Sequence, residues 1–204
     1  MTFPLPRPAR LAVFASGRGS NLAALLTAFP PGDPFASVVL CVSNKRSAGA
    51  LALAERHGVA ARFVPFGGDR GGFEQEATRL LGEFAADLVC LAGFMRVLSP
   101  AFTGRYAGRI LNVHPSLLPA FPGLHAQRQA LAAGVRETGC TVHFVDAGVD
   151  TGAAVVQRRV PVVPDDTEAA LTARILAEEH RSYPEAVRLV LSGKAVAQAD
   201  GVRA

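Results

Sequence analysis

The residues best suited to chemistry lie in one run, Asn112-Val113-His114-Pro115-Ser116-Leu117-Leu118-Pro119. Side chains two apart in a strand share a face, so a strand ending here presents Asn112 and His114 together. Histidine titrates near neutral pH and serves as acid or base, while an asparagine amide donates to an oxygen that gains negative charge. A lone histidine at a strand end is more often a hydrogen-bonded core residue, and Asn112 beside it weighs against that reading. The pair needs a carboxylate to orient and charge the imidazole. The segment from Asp146 to Asp150 has two. Asp150 precedes Thr151-Gly152, a turn that can aim it inward, whereas Asp146 reads more readily as a solvated turn former.

A second feature is Ser16-Gly17-Arg18-Gly19-Ser20-Asn21, which follows an apolar strand and opens a helix. Backbone N–H groups and the helix dipole make such a place a seat for an anion, a phosphate above all. The glycine pair also suits a plain tight turn, and the spacing alone leaves both open. A dinucleotide site would need a small residue where Leu22 stands and an acid where Ser43-Asn44-Lys45 follows the second strand, so that reading fails twice. Ser116 sits between Pro115 and Leu117 without the G-x-S-x-G elbow of a serine hydrolase.

These residues need elements to hold them, and the chain alternates strand-like and helix-like runs from the start. Arg10 to Ser16, Phe35 to Ser43 and Ala60 to Phe66 read as strands; Ser20 to Ala28 and Ala48 to His57 read as helices. Glu74 to Phe84 is an amphipathic helix before Asp87 to Gly93, a run with no exposed face, as in the middle of a parallel sheet. Ser99-Pro100 starts a short helix toward Tyr106, and Arg109 to Val113 is another buried strand. After the Pro-rich stretch and a helix over Ala126 to Ala133, two β-rich runs, Thr138 to Val145 and Ala153 to Val163, suggest an antiparallel or mixed edge. Asp165-x-x-Glu168 resembles a capping box for a last long helix that Pro184 kinks or divides, and the tail after Gly193 frays. The expectation is an α/β fold: a doubly wound, mainly parallel sheet with an antiparallel C-terminal edge. Its ligand crevice lies at the carboxyl ends of the strands.

Composition bounds the rest. The 204 residues, half of them hydrophobic, suit a single domain over 1–204, with residues 1–9 a flexible leader and 194–204 a flexible tail. The charge of +4 comes from scattered Lys and Arg, without the basic block and interleaved aromatics of a nucleic-acid binder. Cys41, Cys90 and Cys140 lie far apart inside apolar runs, which predicts buried free thiols and neither a metal site nor a redox pair. No signal peptide or membrane-crossing run is evident, so the expected location is cytoplasmic.

At this point a family resemblance is specific. Leu91-Ala92-Gly93-Phe94-Met95-Arg96-Val97-Leu98-Ser99-Pro100, the Asn112 to Pro119 run, and Phe121-Pro122-Gly123-Leu124-His125 look like the glycinamide ribonucleotide transformylases, from Leu11 to about Gly193. The resemblance implies a Rossmann-like formyltransferase fold and transfer of a formyl group from 10-formyltetrahydrofolate to the amine of 5-phosphoribosylglycinamide, in purine (IMP) biosynthesis, without a metal. It implies a catalytic trio of Asn112, His114 and Asp150. Asn112 and protonated His114 hold the formyl oxygen, Asp150 keeps the ring charged and positions a water, and the amine attacks directly. It places the substrate phosphate on Gly19, Ser20 and Asn21 and puts Glu179 near the glycinamide and ribose. Folate positions are Arg70, Met95, Arg96, Val97 and Leu98, with Asn112 and the segment Asp146, Ala147, Gly148, Val149 and Asp150. His143 and His180 match positions near the site and receive no catalytic role. Partners are the two small molecules, with no nucleic acid or membrane; the oligomeric state stays open between monomer and homodimer.

Two departures stand out. Ala153 replaces a common proline, which would loosen the folate loop, and Ala120 replaces a common basic residue, which would weaken contacts to an anionic ligand. Neither touches the trio. Methionyl-tRNA formyltransferase and formyltetrahydrofolate hydrolase share the Asn-x-His and Asp core, but each carries an added domain for which 204 residues leave no room. A binding module that has lost the chemistry would show a broken trio.

Overall fold

The structure, a computed structural model, describes residues 3–5, 7–67, 70–198 and 201–203. Strands and helices alternate as β1 (Ala9–Phe14), α1 (Ser20–Ala28), β2 (Ala36–Ser43), α2 (Gly49–Arg56), β3 (Ala60–Phe63), α3 (Arg70–Glu83), β4 (Leu88–Leu91), α4 (Pro100–Arg105), β5 (Ile110–His114) and α5 (Ala126–Ala132). Then come β6 (Glu137–Phe144), β7 (Ala154–Pro161), α6 (Glu168–Leu191), β8 (Val196–Gln198) and β9 (Gly201–Arg203). The main sheet has the order β3-β2-β1-β4-β5-β6-β7. Its first five members are parallel, and β6 and β7 are antiparallel, which is the doubly wound sheet with the expected edge. The chain leaves β1 on one side for β2 and later returns on the other for β4. The carboxyl ends of β1 and β4 therefore bound a switch-point crevice.

Burial on both faces explains the unbroken apolar runs. Leu11 and Val13 of β1 join Leu22 and Leu25 of α1 and Tyr183 and Val187 of α6; Ala12 and Phe14 join Phe73 and Leu80 of α3 and Phe102 of α4. The site strand breaks this symmetry. On β5, Leu111 and Val113 belong to the α6-side core, while Asn112 and His114 occupy the other face beside His143 and Thr141 of β6. There the polar strand positions meet loops instead of a helix: Leu118 N–H donates to Thr141 Oγ1, whose hydroxyl donates to Ser116 O.

Several boundaries differ from expectation, each for a physical reason. Helix α3 starts at Arg70 rather than Glu74, because burying Phe73 outweighs the poor helix propensity of Gly71 and Gly72. The cap of α6 is Thr167, whose hydroxyl accepts from Ala170 N–H, not Asp165. Asp165 instead has φ 64 in the preceding turn, and Asp166 takes the ion pair with Arg174. Pro184 does not divide α6, since fully buried Tyr183, Ala186 and Val187 hold both sides of it to the sheet. The tail pairs as β8 and β9 where fraying was expected, with Ala195 buried in the core. The leader is also tied: Phe3 and Leu5 pack on the core, and Arg7 makes a double ion pair with buried Asp87. The rest of the leader and tail, residues 1, 2, 6, 199, 200 and 204, lies outside the described residues.

The three cysteines are buried and free, and burial pushes the thiols of Cys41 and Cys90 up to about 12. Among the described residues no helix is long and apolar enough to cross a membrane.

Tyr183 joins α6 to the sheet. Its buried hydroxyl lies 3.0 Å from both Leu91 O and Leu111 O, at the ends of β4 and β5. Tyr183→Phe removes that donor and keeps the ring. The expected loss is about 1–2 kcal/mol, a fall in Tm of roughly 2–8 °C. Calorimetry checks this, and an unchanged Tm would show that the hydroxyl adds nothing to the α6 contact.

Candidate active site

Three separate stretches converge where β5 ends. Asp150 Oδ2 lies 3.2 Å from His114 Nδ1 and accepts from Gly123 N–H at 2.8 Å. Its other oxygen, Oδ1, lies 3.6 Å from His143 Nε2 and 3.5 Å from Asn112 Nδ2. Asn112 Nδ2 is also 3.2 Å from His143 Nε2. His114 Nε2 is 2.8 Å from the Phe121 carbonyl. Nε2 donates to that carbonyl, and Nδ1 faces the Asp150 carboxylate. His143 Nδ1 meets its neighbour's carbonyl, Phe144 O, at 2.7 Å, which fixes that ring's orientation.

Local backbone aims these groups. Asp150 has φ 56 and Phe121 φ 55, left-handed positions that turn each loop back onto the strand face. Gly152 is the turn residue expected there, because a Cβ would come within 1.8 Å of Phe144 O. Asp150 is half-buried. Burial pushes its carboxyl up, but His143, the Gly123 N–H and the charge of His114 outweigh that and hold it below the ordinary aspartate value. Asp146 behaves as the solvated turn former: exposed, it accepts from Gly148 N–H and Thr151 Oγ1.

The remaining candidates lie at the same end of the sheet. Gly19 caps α1 in a left-handed conformation, φ 88, and its Cα sits so close to α2 that a Cβ would be 2.9 Å from Ala50 Cα. First-turn N–H groups of α1 and half-buried Ser20 remain available for an anion, but the side chain of Asn21 turns inward. Its Nδ2 donates to Glu179 Oε2 at 2.7 Å, and its Oδ1 is buried without a partner. Glu179 is buried, which pushes its carboxyl from the ordinary 4.5 up to about 7 against the pull of Asn21. Met95, Arg96 and Val97 are exposed and Leu98 is buried, on the segment that follows β4 beside Asn112. Arg96 stacks over Phe66 with 5.1 Å to the ring centre. Ala147, Gly148 and Val149 are exposed on the loop before Asp150, and Arg70 is exposed at the start of α3.

Reading the sequence left His143 without a role, yet it contacts both Asn112 and Asp150. The signal that finds it is register, Asn112 opposite His143 across the antiparallel pair. His180, the other unassigned histidine, has a buried Nε2 without a partner and no contact with the trio among the described hydrogen bonds. Ser116 is committed to the loop, its hydroxyl donating to Ala120 O.

The chain is similar to known proteins over most of its length. A family described as formyl transferase matches residues 9–187. The trifunctional purine biosynthetic protein adenosine-3 of Drosophila melanogaster is 48% identical over 194 residues, which are 93% of this chain but 14% of that protein. The chain thus spans about a seventh of that relative. The phosphoribosylglycinamide formyltransferase of Escherichia coli is 41% identical over 186 residues, 90% of this chain and 88% of that one. The crystal structure of glycinamide ribonucleotide transformylase 1 from Symbiobacterium toebii superposes with a TM-score of 0.92 at 46% identity, covering 96% of this chain and 93% of that one. The polar face of β5, the carboxylate turned onto it and these likenesses agree, and the chain belongs to the formyl transferase family.

Proposed function

We propose that the protein transfers the formyl group of 10-formyltetrahydrofolate to the amine of 5-phosphoribosylglycinamide, a step of purine (IMP) biosynthesis. The observation that carries the reading is the convergence of Asn112 and His114 on one strand face with Asp150 turned onto them. The amine forms its new C–N bond at the formyl carbon, whose oxygen gains negative charge, and the bond to the folate nitrogen then breaks. Asn112 donates to that oxygen. The His114 Nε2–H, now on the neutral Phe121 carbonyl, is the proton the ring offers to the charged acceptor. Asp150 orients the ring through Nδ1 and positions a water that carries the amine proton toward the leaving nitrogen.

The binding assignments follow the same geometry. The substrate phosphate takes the N–H groups at Gly19, Ser20 and Asn21, and Glu179 with Asn21 faces its glycinamide and ribose. The flat folate heterocycle fits between exposed apolar Met95 and Val97 on one loop and Val149 on the other, with Arg96 and Arg70 toward its carboxylates. Residues 1–204 act as one catalytic domain in the cytoplasm, with no need of nucleic acid or membrane.

Deformylation of the folate, followed with and without phosphoribosylglycinamide, tests the reading. Turnover that requires the amine is expected; turnover with water alone would make the protein a hydrolase, and none with either would make it a binder. His114→Ala lowers kcat about 10²–10⁴-fold with KM values nearly kept, and a rate near wild type would remove the ring from the mechanism. The Asp150 carboxyl, held below its ordinary value, is charged across neutral pH. Asp150→Asn removes that charge from beside His114 and His143, so kcat falls and its pH profile changes. An unchanged profile counts against the pairing.

Glu179 titrates in the opposite sense. Its folded value, about 7, exceeds the ordinary 4.5, so the folded protein keeps a proton that the unfolded chain has lost. Stability falls as pH rises through that window and stays lower above it. Glu179→Gln is neutral throughout. It raises Tm over wild type at about pH 8, leaves it alike at about pH 4, and raises KM for the phosphoribosyl substrate. A Tm difference independent of pH would disprove the raised carboxyl.

A further inference from the structure

We infer that Ser16 is a positioning residue that sets the folate-facing segment 94–98, with Asn44 fixing the direction of its hydroxyl; the inference rests on the reading of that segment in the proposed function. Ser16 is the second residue after β1, follows Ala15 at the start of the anion loop, and is 4% exposed. Its hydroxyl donates to Asn44 Oδ1 at 2.6 Å, at the end of β2, and accepts from Met95 N–H at 2.9 Å. Its own N–H donates to Gly93 O. One side chain thus joins the carboxyl ends of β1, β2 and β4 at the switch point.

The two ligand seats beside Ser16 depend on it unequally. The anion loop has its own anchors: Ala50 N–H donates to Gly17 O, Ala23 N–H donates to Gly19 O, and Gly19 packs against α2. In segment 94–98, Phe94 and Leu98 are packed by their side chains, Phe94 against Phe14 and Phe73. Between them, among the described hydrogen bonds, Met95 N–H to Ser16 is the one that fixes the backbone. Asn44 is 9% exposed, and by accepting the serine proton it leaves a lone pair of that oxygen facing Met95. Losing the hydroxyl takes the partner from the part-buried Met95 N–H and from the buried Asn44 oxygen together. The segment then loses its register against Asn112 while the phosphate seat keeps its own bonds.

Two readouts test this. Amide hydrogen exchange at Met95, measured on the protein without substrates, is expected to quicken at least about tenfold in Ser16→Ala. The same variant raises KM for formyl folate at least about fivefold, with KM for phosphoribosylglycinamide and kcat within about twofold of wild type. Ser16→Thr, which keeps the hydroxyl, restores slow exchange. Asn44→Ala moves exchange and folate KM the same way by a smaller factor, and should Ser16→Ala not fold, that variant alone decides. Unaltered Met95 exchange, or equal rises in both KM values, overturns the inference. A wild-type protein that transfers no formyl group overturns the functional reading instead, and the exchange experiment still decides the role of Ser16.

Discussion

A single carboxylate holds the site together. Asp150 has partners at both oxygens, His114 and the Gly123 N–H beside one, His143 and the Asn112 amide beside the other. It thereby links β5 and β6 with the loop that carries Gly123 and with its own loop. A carboxylate partly withdrawn from water stays charged only with such company. Each donor it gathers is also fixed in place by it, so the electrostatics and the geometry of the site are one arrangement.

That arrangement exists because the sheet is covered unevenly. Over β1 and β4 helices pack on both faces, and every strand residue except Arg10 is apolar and buried. Over β5 and β6 one face carries α6 and the other carries loops. Polar strand residues there find backbone partners and side-chain partners in the loops, as Thr141 does with Ser116 and Leu118. A helix laid on that face would have demanded apolar residues at 112, 114, 141 and 143. The loops that replace it can also move without unpacking the core, which suits a place where two molecules must enter and leave.

The polar joints at the crevice are all long-range. Ser16 meets Asn44 and Met95, and Asn21 meets Glu179 across 158 residues of chain. Apart from Glu179, which lies within α6, their members lie at or just past strand or helix ends, where backbone groups run out of regular partners and side chains take over. The switch point concentrates such ends, so the ligand seats and the joints that register them occupy the same small region.

Sequence alone determined what local rules control. Period-two alternation placed Asn112 and His114 on one face, unbroken apolar runs marked the central strands, and the order of runs predicted the parallel sheet with its antiparallel edge. The Thr151-Gly152 turn favours Asp150 over Asp146, and the backbone at Asp150 is left-handed, with φ 56. Tertiary structure decided the rest. That His143 stands beside Asn112 follows from strand register. That Asn21 turns to Glu179 follows from α1 packing against α6, and that Thr167 caps α6 follows from Asp166 being claimed by Arg174. The first two pairs lie 31 and 158 residues apart in sequence, and the third lies 8 apart, across a turn and a helix start. Spacing encodes which face a residue occupies, but which distant group meets it there is settled only when the core has closed and loops have spent their hydrogen bonds.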